Sequence, residues 1–387
     1  MKRSARVLAV VAAGALAASL AACSPASGSG EPSGEPAGGS GSEVTLAFLG
    51  DITGGAAFCG ASALDGFKAG IEYVNENGLA GDATLVGAEY DTATNPQQAA
   101  TEMSKIVASD ASGVVIGCAS AVSQASAPVA QSGGLPVVAM QSGTPAVIDA
   151  GEFIFRTTAP QSTYHYRQVD HYLAEGIETA AIVYQSNNPT LVELAEDVYP
   201  PLLEEGGVDV VATESFEGDG FDFAALVAKV VAADPDIVFL FGQGTPNVTV
   251  ATQLIQQGYD GFVGGTQGFD GVLEPLGESA NGFTWPTDFN AEGSAESTQE
   301  FVEFYTDRGG ETPGSFQAQA FDAVLLFALG LAEASDTTDR EAIREGIVAA
   351  TEAGFDGAVG RVEFEDRDAR VEGLLLEWRD GATRIVN

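Results

Sequence analysis

Basic side chains are scarce in this sequence. Of its 387 residues only 16 are lysine or arginine, against 55 aspartate or glutamate, so the formal net charge at pH 7 is -39. A molecule with this charge repels the phosphate backbone of nucleic acids, and we expect no nucleic-acid partner. It also repels anionic lipid, so any attachment to a membrane must depend on something other than a basic surface.

Histidine is rarer still, with only His165 and His171. On a helix, six positions separate two side chains by about 240°, so the pair cannot share a metal ion, and we expect both on the surface. The sequence also lacks the Walker-type phosphate loop and the His-Glu-x-x-His and Cys-x-x-Cys motifs. No acidic pair stands out among the many carboxylates. We therefore expect no enzymatic activity, no catalytic residues, no cofactor and no metal site.

The N-terminus has the pattern of a secretory signal. Lys2, Arg3 and Arg6 precede an uncharged, mostly small apolar segment from Val7 to Ala22. That segment is shorter than the roughly 20 residues of a membrane-spanning helix. It closes on Leu-Ala-Ala-Cys, which resembles the bacterial lipobox and implies a signal peptide over residues 1–22 and lipidation at Cys23. The alternative is a simple signal peptide with a chance cysteine.

A low-complexity segment follows Cys23. Ser24 to Glu43 are almost entirely Ser, Gly, Pro, Ala and Glu, a composition that cannot bury a core. A flexible chain of this length has a reach of roughly 25 Å. We therefore predict a lipid-anchored tether over residues 23–43, which holds a folded body at the extracytoplasmic face of the cell membrane.

Strands and helices alternate from Val44 onward. Val44 to Leu49 predict a buried strand, and the helical spacing of the apolar residues after it predicts a helix that stops at Gly78. The same alternation restarts after Gln161. About 345 residues exceed the usual size of one core, so we predict an α/β protein with two doubly wound lobes of parallel sheet. In such sheets ligands bind beyond the carboxyl ends of the strands.

Several segments at these strand ends resemble one known family. They include Gly50-Asp51-Ile52-Thr53-Gly54, Glu89-Tyr90-Asp91-Thr92-Ala93-Thr94-Asn95-Pro96 and Phe316-Gln317-Ala318-Gln319-Ala320-Phe321-Asp322-Ala323-Val324. By their order and spacing, nearly all of residues 44–387 resemble the leucine/isoleucine/valine-binding periplasmic proteins, of the branched-chain amino acid and amide type.

This resemblance implies the type I binding-protein fold, in which a three-segment hinge joins two lobes. Lobe 1 would comprise residues 44–160 plus 289–365, and lobe 2 residues 161–288 plus 366–387. It also implies an ABC importer's substrate-binding protein, which delivers a small polar ligand to a membrane permease. We expect a monomer. The alternatives are a ligand-sensing receptor of the same fold that is not coupled to transport, and a cell-surface adhesion module.

The resemblance places the first-lobe side of a ligand cleft at two loops. Ser120 follows a strand and begins a helix, where its hydroxyl and free backbone N–H groups suit a carboxylate or carbonyl oxygen. Its alternative role is an ordinary helix cap. Ser142, Gly143 and Thr144 form the turn with which the family holds an amino-acid headgroup, and the alternative is a plain turn.

The second lobe departs from the family pattern. Gln267 stands where the family commonly has a carboxylate that pairs with a ligand ammonium. Glutamine cannot neutralise a buried charge. Three alternatives follow: Asp270 substitutes, Asp51 reaches in from the first lobe, or the ligand lacks an ammonium.

Further cleft residues are expected in loops that follow strands. Gln185 and Gln243 make the second-lobe side rich in amides, and Phe58 supplies an apolar wall or else packs on the adjacent helix. If Cys23 carries lipid, Cys59 and Cys118 remain as an even pair in an oxidising compartment, and we predict a disulfide between them. The alternative is two free, buried thiols.

Overall fold

A computed structural model of the chain describes residues 42–218 and 220–386. The predicted signal peptide, Cys23 and nearly all of the predicted tether lie outside the described residues. The strands are β1 (Glu43–Gly50), β2 (Thr84–Asp91), β3 (Gly113–Gly117), β4 (Val137–Gln141), β5 (Ile154–Arg156), β6 (Thr179–Gln185), β7 (Asp209–Phe216), β8 (Ile237–Phe241), β9 (Phe262–Gly265), β10 (Thr284–Thr287), β11 (Phe355–Gly357), β12 (Gly360–Glu365), β13 (Asp368–Arg370), β14 (Leu374–Arg379) and β15 (Ala382–Ile385).

The helices connect these strands on both faces of two sheets. They are α1 (Ala57–Asn77), α2 (Pro96–Val107), α3 (Ser120–Ser132), α4 (Tyr166–Glu175), α5 (Pro189–Glu193), α6 (Tyr199–Glu205), α7 (Ala224–Ala232), α8 (Gly244–Gln256), α9 (Glu296–Asp307), α10 (Ser315–Glu333) and α11 (Arg340–Ala353). Helix α1 ends as predicted at Gly78, whose φ of 62° is the left-handed conformation that glycine adopts at little cost.

Two sheets organise the described part of the chain. The first has the order β11-β12-β13-β5-β4-β3-β1-β2, and the second has the order β15-β14-β10-β9-β8-β6-β7. From β2 to β5 and from β7 to β10 all neighbours are parallel. Strands β3, β4 and β8 are buried along their whole length, which explains their continuous apolar sequences. The predicted α/β class with two doubly wound lobes is confirmed.

The chain passes between the sheets three times, after β5, after β10 and after β13. We call the first sheet with its covering helices the first lobe and the second sheet with its helices the second lobe. The predicted last boundary, after residue 365, was too early. Strand β13 pairs with β12 and β5, so the first sheet extends to Arg370. The remaining boundaries of the lobe division stay predictions.

Helix α10 is the centre of the first-lobe core. Most of its residues are buried, and it packs against α1 through two glycines of that helix. A Cβ on Gly66 would lie 2.1 Å from the backbone oxygen of Gln317, and one on Gly70 would lie 2.9 Å from the Cβ of Val324. Larger residues at these two positions would push the helices apart. This close approach positions the first turn of α10 against α1, next to the cavity described below.

The expectation of two surface histidines was wrong for His165. This side chain is fully buried, and its Nδ1 lies 2.9 Å from the hydroxyl of Tyr199. Burial lowers its pKa to about 3, so the ring is neutral. Tyr199 and Phe241 cover it from other elements, which the helical spacing of two histidines alone does not reveal.

Candidate functional site

A cavity lies between the two lobes, at the carboxyl ends of their parallel strands. Its lining comprises Ala56, Phe58, Cys59, Cys118, Ser120, Gln141, Gly143, Gln161, Thr190, Leu191, Gln243, Thr266, Gln267, Gly268 and Phe316. All of these described lining residues are uncharged, and most of the polar ones are amides or hydroxyls. Helices α1, α3, α8 and α10 begin at or next to the cavity, so their positive ends face it.

Five of the predicted ligand-binding residues line this cavity: Phe58, Ser120, Gly143, Gln243 and Gln267. That they contact a ligand stays a prediction. Phe58 also packs edge-on against Phe316, with ring centroids 5.8 Å apart, while its role as an apolar wall for a ligand stays a prediction.

The other three predicted residues do not line the cavity. Ser142 and Thr144 are buried beside it, on either side of Gly143. Gln185 lies elsewhere, with its amide nitrogen 2.8 Å from the Oδ1 of Asn187. A glutamine that follows a strand can bond within its own loop as readily as to a ligand, and the sequence does not distinguish the two.

The disulfide joins helix α1 to the loop before α3 within the cavity wall. Cys59 in α1 and Cys118 just before α3 are bonded, and their Cα atoms are 5.9 Å apart. Asp51 supports the same loop from behind. Its carboxylate accepts from the backbone N–H of Ala119 at 2.8 Å and from the Thr92 hydroxyl at 2.5 Å. Burial raises the pKa of Asp51 to about 6. Asp51 thus stabilises the loop and does not reach the cavity.

Arg156 holds the turn around Gly143, a role that the sequence did not reveal. Its side chain is fully buried at the end of β5. Nη1 donates to the carbonyl oxygens of Ser142 and, at 2.9 Å, Thr144. Nε and Nη2 each donate at 2.7 Å to the carboxylate of Asp368 in β13. The turn is therefore tied to the strand just before the third crossing. The only indication of this role in the sequence is a single arginine at the end of an apolar segment, in a chain with few basic residues.

An amide and carboxylate network crosses the cavity. The Nε2 of Gln141 in the first lobe donates to the Oε1 of Gln267 in the second lobe at 2.8 Å. The Nε2 of Gln267 lies 3.2 Å from both the Thr287 hydroxyl and the Oδ1 of Asp288. Gln319 donates to both oxygens of Asp288 at 2.8 Å. Burial raises the pKa of Asp288 to about 6. The donation from Gln319 to both of its oxygens fits the ionised form, which accepts at each oxygen.

Asp270 does not take the place of the missing counter-charge. Its carboxylate accepts from the hydroxyl and, at 3.3 Å, from the backbone N–H of Ser315, at the start of α10. Asp270 belongs to the second lobe and Ser315 to the first, so this contact joins the lobes. Burial raises the pKa of Asp270. Neither Asp51 nor Asp270 lines the cavity. Two explanations remain: the ligand lacks an ammonium, or a charged residue farther from the cavity balances the ammonium.

The lobes also touch directly across the cavity. The hydroxyl oxygens of Ser120 and Thr190 are 2.8 Å apart. A Cβ on Gly143 would lie 2.5 Å from the methyl carbon of Thr190, so glycine at that position permits the close approach. A molecule that enters here must replace the Ser120–Thr190 and Gln141–Gln267 hydrogen bonds with its own.

Comparisons with known proteins agree with this architecture. A family model described as periplasmic binding protein matches residues 43–379. A Leu/Ile/Val-binding protein homolog from Brucella melitensis is 22% identical over 368 residues, which cover 88% of this chain and 90% of the relative.

Two solved structures show the same fold. The crystal structure of a leucine binding protein from Thermotoga maritima has a TM-score of 0.82 at 23% identity, and covers 89% of this chain and 98% of that one. A solute binding protein from R. palustris, in complex with 4-hydroxybenzoate, has a TM-score of 0.80 at 18% identity. This second match covers 89% of this chain and 95% of the other.

Proposed function

The chain belongs to the periplasmic binding protein family, and from this premise we propose that it is the extracytoplasmic solute-binding component of an ABC importer. The observation that carries the proposal is the uncharged cavity between the lobes, which amides and hydroxyls from both lobes line at the ends of two parallel sheets. Such a site suits a small polar molecule held by hydrogen bonds on several sides.

We propose that the solute binds an open form and that the lobes then close by rotation about the three crossings. Closure is favoured only if the solute interacts better with the closed form than with the open one. Contact with both Ser120 and Gln267 would meet that condition, because these residues belong to different lobes and face the same cavity. The permease would then recognise the closed form and receive the solute.

An amino acid of the branched-chain type is the leading solute, and an amide or a related small molecule is the next. Support comes from the relatives, one of which is named as a Leu/Ile/Val-binding protein homolog. The R. palustris protein in complex with 4-hydroxybenzoate shows that the fold also serves other small molecules. The uncharged lining is a reason to include neutral solutes in any screen.

We propose further that the mature protein is anchored by lipid on Cys23 and acts as a monomer at the membrane's outer face. The lipobox-like sequence and the tether composition support the anchor. The acidic surface favours a covalent anchor, since it does not attract anionic lipid.

A thermal-shift screen of the purified protein against amino acids, small amides and polyols tests the binding function. A true ligand should raise the melting temperature in proportion to the logarithm of its concentration above Kd. Ser120→Ala should reduce that shift, whereas Gln185→Ala, at a residue outside the cavity, should leave it unchanged. Stabilisation by none of these solutes, together with stabilisation by a macromolecule, would contradict the proposal.

A further inference from the structure

The orientation of the Gln267 amide is determined by Asp288. Gln267 is 1% exposed, and among the described residues its amide group contacts Gln141, Thr287 and Asp288. An ionised carboxylate accepts hydrogen bonds but donates none. The end of Gln267 that lies 3.2 Å from the Oδ1 of Asp288 must therefore be the NH2 group. Its carbonyl oxygen then points the other way, toward Gln141.

The orientation of the Asp288 carboxylate is itself fixed by hydrogen bonds. Gln319, in the first lobe, donates to both of its oxygens at 2.8 Å. The carboxylate is thus held between two glutamine amides from opposite lobes. A turned carboxylate would lose charge-assisted hydrogen bonds in a buried place, which is costly.

At Gln267 this arrangement turns an oxygen atom, and not an N–H group, toward Gln141 on the first-lobe side of the cavity. The Oε1 of Gln267 accepts from the Nε2 of Gln141 at 2.8 Å, which directs the oxygen of Gln141 away from that bond. The buried Oε1 atoms of Gln141 and Gln161 have no hydrogen-bond partner among the described residues. Both residues line the cavity. Buried acceptors without donors are rare, and each calls for a partner.

We propose that Asp288 is a positioning residue that presents Gln267 as an acceptor, and that the ligand brings a nitrogen with two or more N–H groups to this side of the cavity. The proposal rests on the binding function above and specifies its substrate class. Gln141, Gln161 and Gln267 all line the cavity with an acceptor oxygen, and a hydroxyl has only one O–H, so an amide NH2 or an ammonium fits better. The negative charge of Asp288 would favour an ammonium over a neutral amide, although Gln267 lies between Asp288 and the ligand.

Calorimetry with matched probes tests the proposal on the purified protein. Each set has a carboxylate, its amide and its amino acid on one skeleton: acetate, acetamide and glycine; 4-methylpentanoate, 4-methylpentanamide and leucine; phenylacetate, phenylacetamide and phenylglycine. In any set that binds, we expect the amide or the amino acid to bind at least about tenfold more tightly than the carboxylate. Tighter binding of the amide would indicate a neutral donor, and tighter binding of the amino acid would indicate an ammonium donor. A carboxylate that binds as tightly as both partners would overturn the proposal.

Two variants separate positioning from general damage. Asp288→Asn replaces the carboxylate that only accepts hydrogen bonds from Gln267. It should reduce the preference for the amide or amino acid over the carboxylate probe to about threefold or less. Asp322→Asn is the matched control, because Asp322 is also a buried carboxylate but accepts from the backbone N–H groups of Ala358 and Val359 and not from Gln267. It should keep the preference. If Asp288→Asn does not fold, Gln267→Met should abolish the preference in its place, and an unchanged preference would contradict the proposal.

A measurement without ligand decides the orientation itself. The side-chain NH2 resonances of Gln267 should shift as Asp288 titrates, and this shift should be absent in Asp288→Asn. Resonances that do not respond to the titration would overturn the proposal even if every probe binds. Failure of all nine probes, with the NMR shift present, would count against the proposed binding function and not against the role of Asp288.

Discussion

Replacing Arg156 with methionine should destabilise the first lobe far more than replacing an exposed arginine. Arg156 is fully buried and makes four hydrogen bonds, two to the Ser142 and Thr144 carbonyls and two to Asp368. The substitution keeps much of the side-chain volume and removes every one of these bonds.

The magnitude follows from the groups that would be left behind. Removing one partner of a buried ion pair costs about 3–5 kcal/mol, because the other charge stays buried and unpaired. Each buried carbonyl that loses its donor adds about 1–3 kcal/mol, although these effects are not additive. Asp368 is 13% exposed, which reduces the cost on its side. We therefore expect a loss of at least about 4 kcal/mol, a large part of a typical stability of about 5–15 kcal/mol.

Chemical denaturation followed by far-ultraviolet circular dichroism measures this loss. Arg384→Met is the control: Arg384 also forms an ion pair, with Glu292, but the two side chains are 54% and 65% exposed. Exposed pairs contribute about 0–1 kcal/mol. Arg156→Lys should lie between the two, because an ammonium lacks the planar fork that reaches both the turn and Asp368. A loss below about 1 kcal/mol for Arg156→Met would refute the reasoning.

Two further predictions concern stability. Replacing Cys59 and Cys118 together with serine should lower the free energy of unfolding by about 4 kcal/mol, as expected for the 59-residue separation of the pair, and a melting temperature equal to that of the oxidised protein would contradict this. Acidification from pH 7 to pH 5 in 1 M salt should raise the melting temperature, because burial raises the pKa of Asp51 and Asp288 to about 6 and of Asp322 to about 7, so these groups take up protons in the folded state before they do in the unfolded chain. His165, whose pKa burial lowers to about 3, acts in the opposite direction, but it is one group against three. High salt screens the surface carboxylates, and a melting temperature that falls over this range would show that other groups dominate.

Much of the fold was predictable because it depends on local patterns. Continuous apolar runs such as Gly113–Gly117 indicate strands that are covered on both faces, and Gly78 marks a helix end. Repetition of these patterns specifies two α/β lobes. The place of the short strand β13 in the first sheet escaped prediction, because its three residues, Asp368–Arg370, carry no pattern that indicates which sheet they join.

The site was predictable where it follows from strand ends, and not where it depends on distant partners. Ser120 and Gln267 follow strands, and both line the cavity. Arg156 and Asp368 are 212 positions apart, and no local pattern connects them. Gln267 and Asp288 are only 21 apart but lie beyond different strands, so their contact emerges from the sheet order.

A crystal structure with the solute that stabilises the protein most in the thermal-shift screen tests the central claim most directly. The account predicts the solute between the lobes, with its polar atoms within hydrogen-bond distance of both Ser120 and Gln267. A solute bound outside this cavity, or held by one lobe alone, would contradict it.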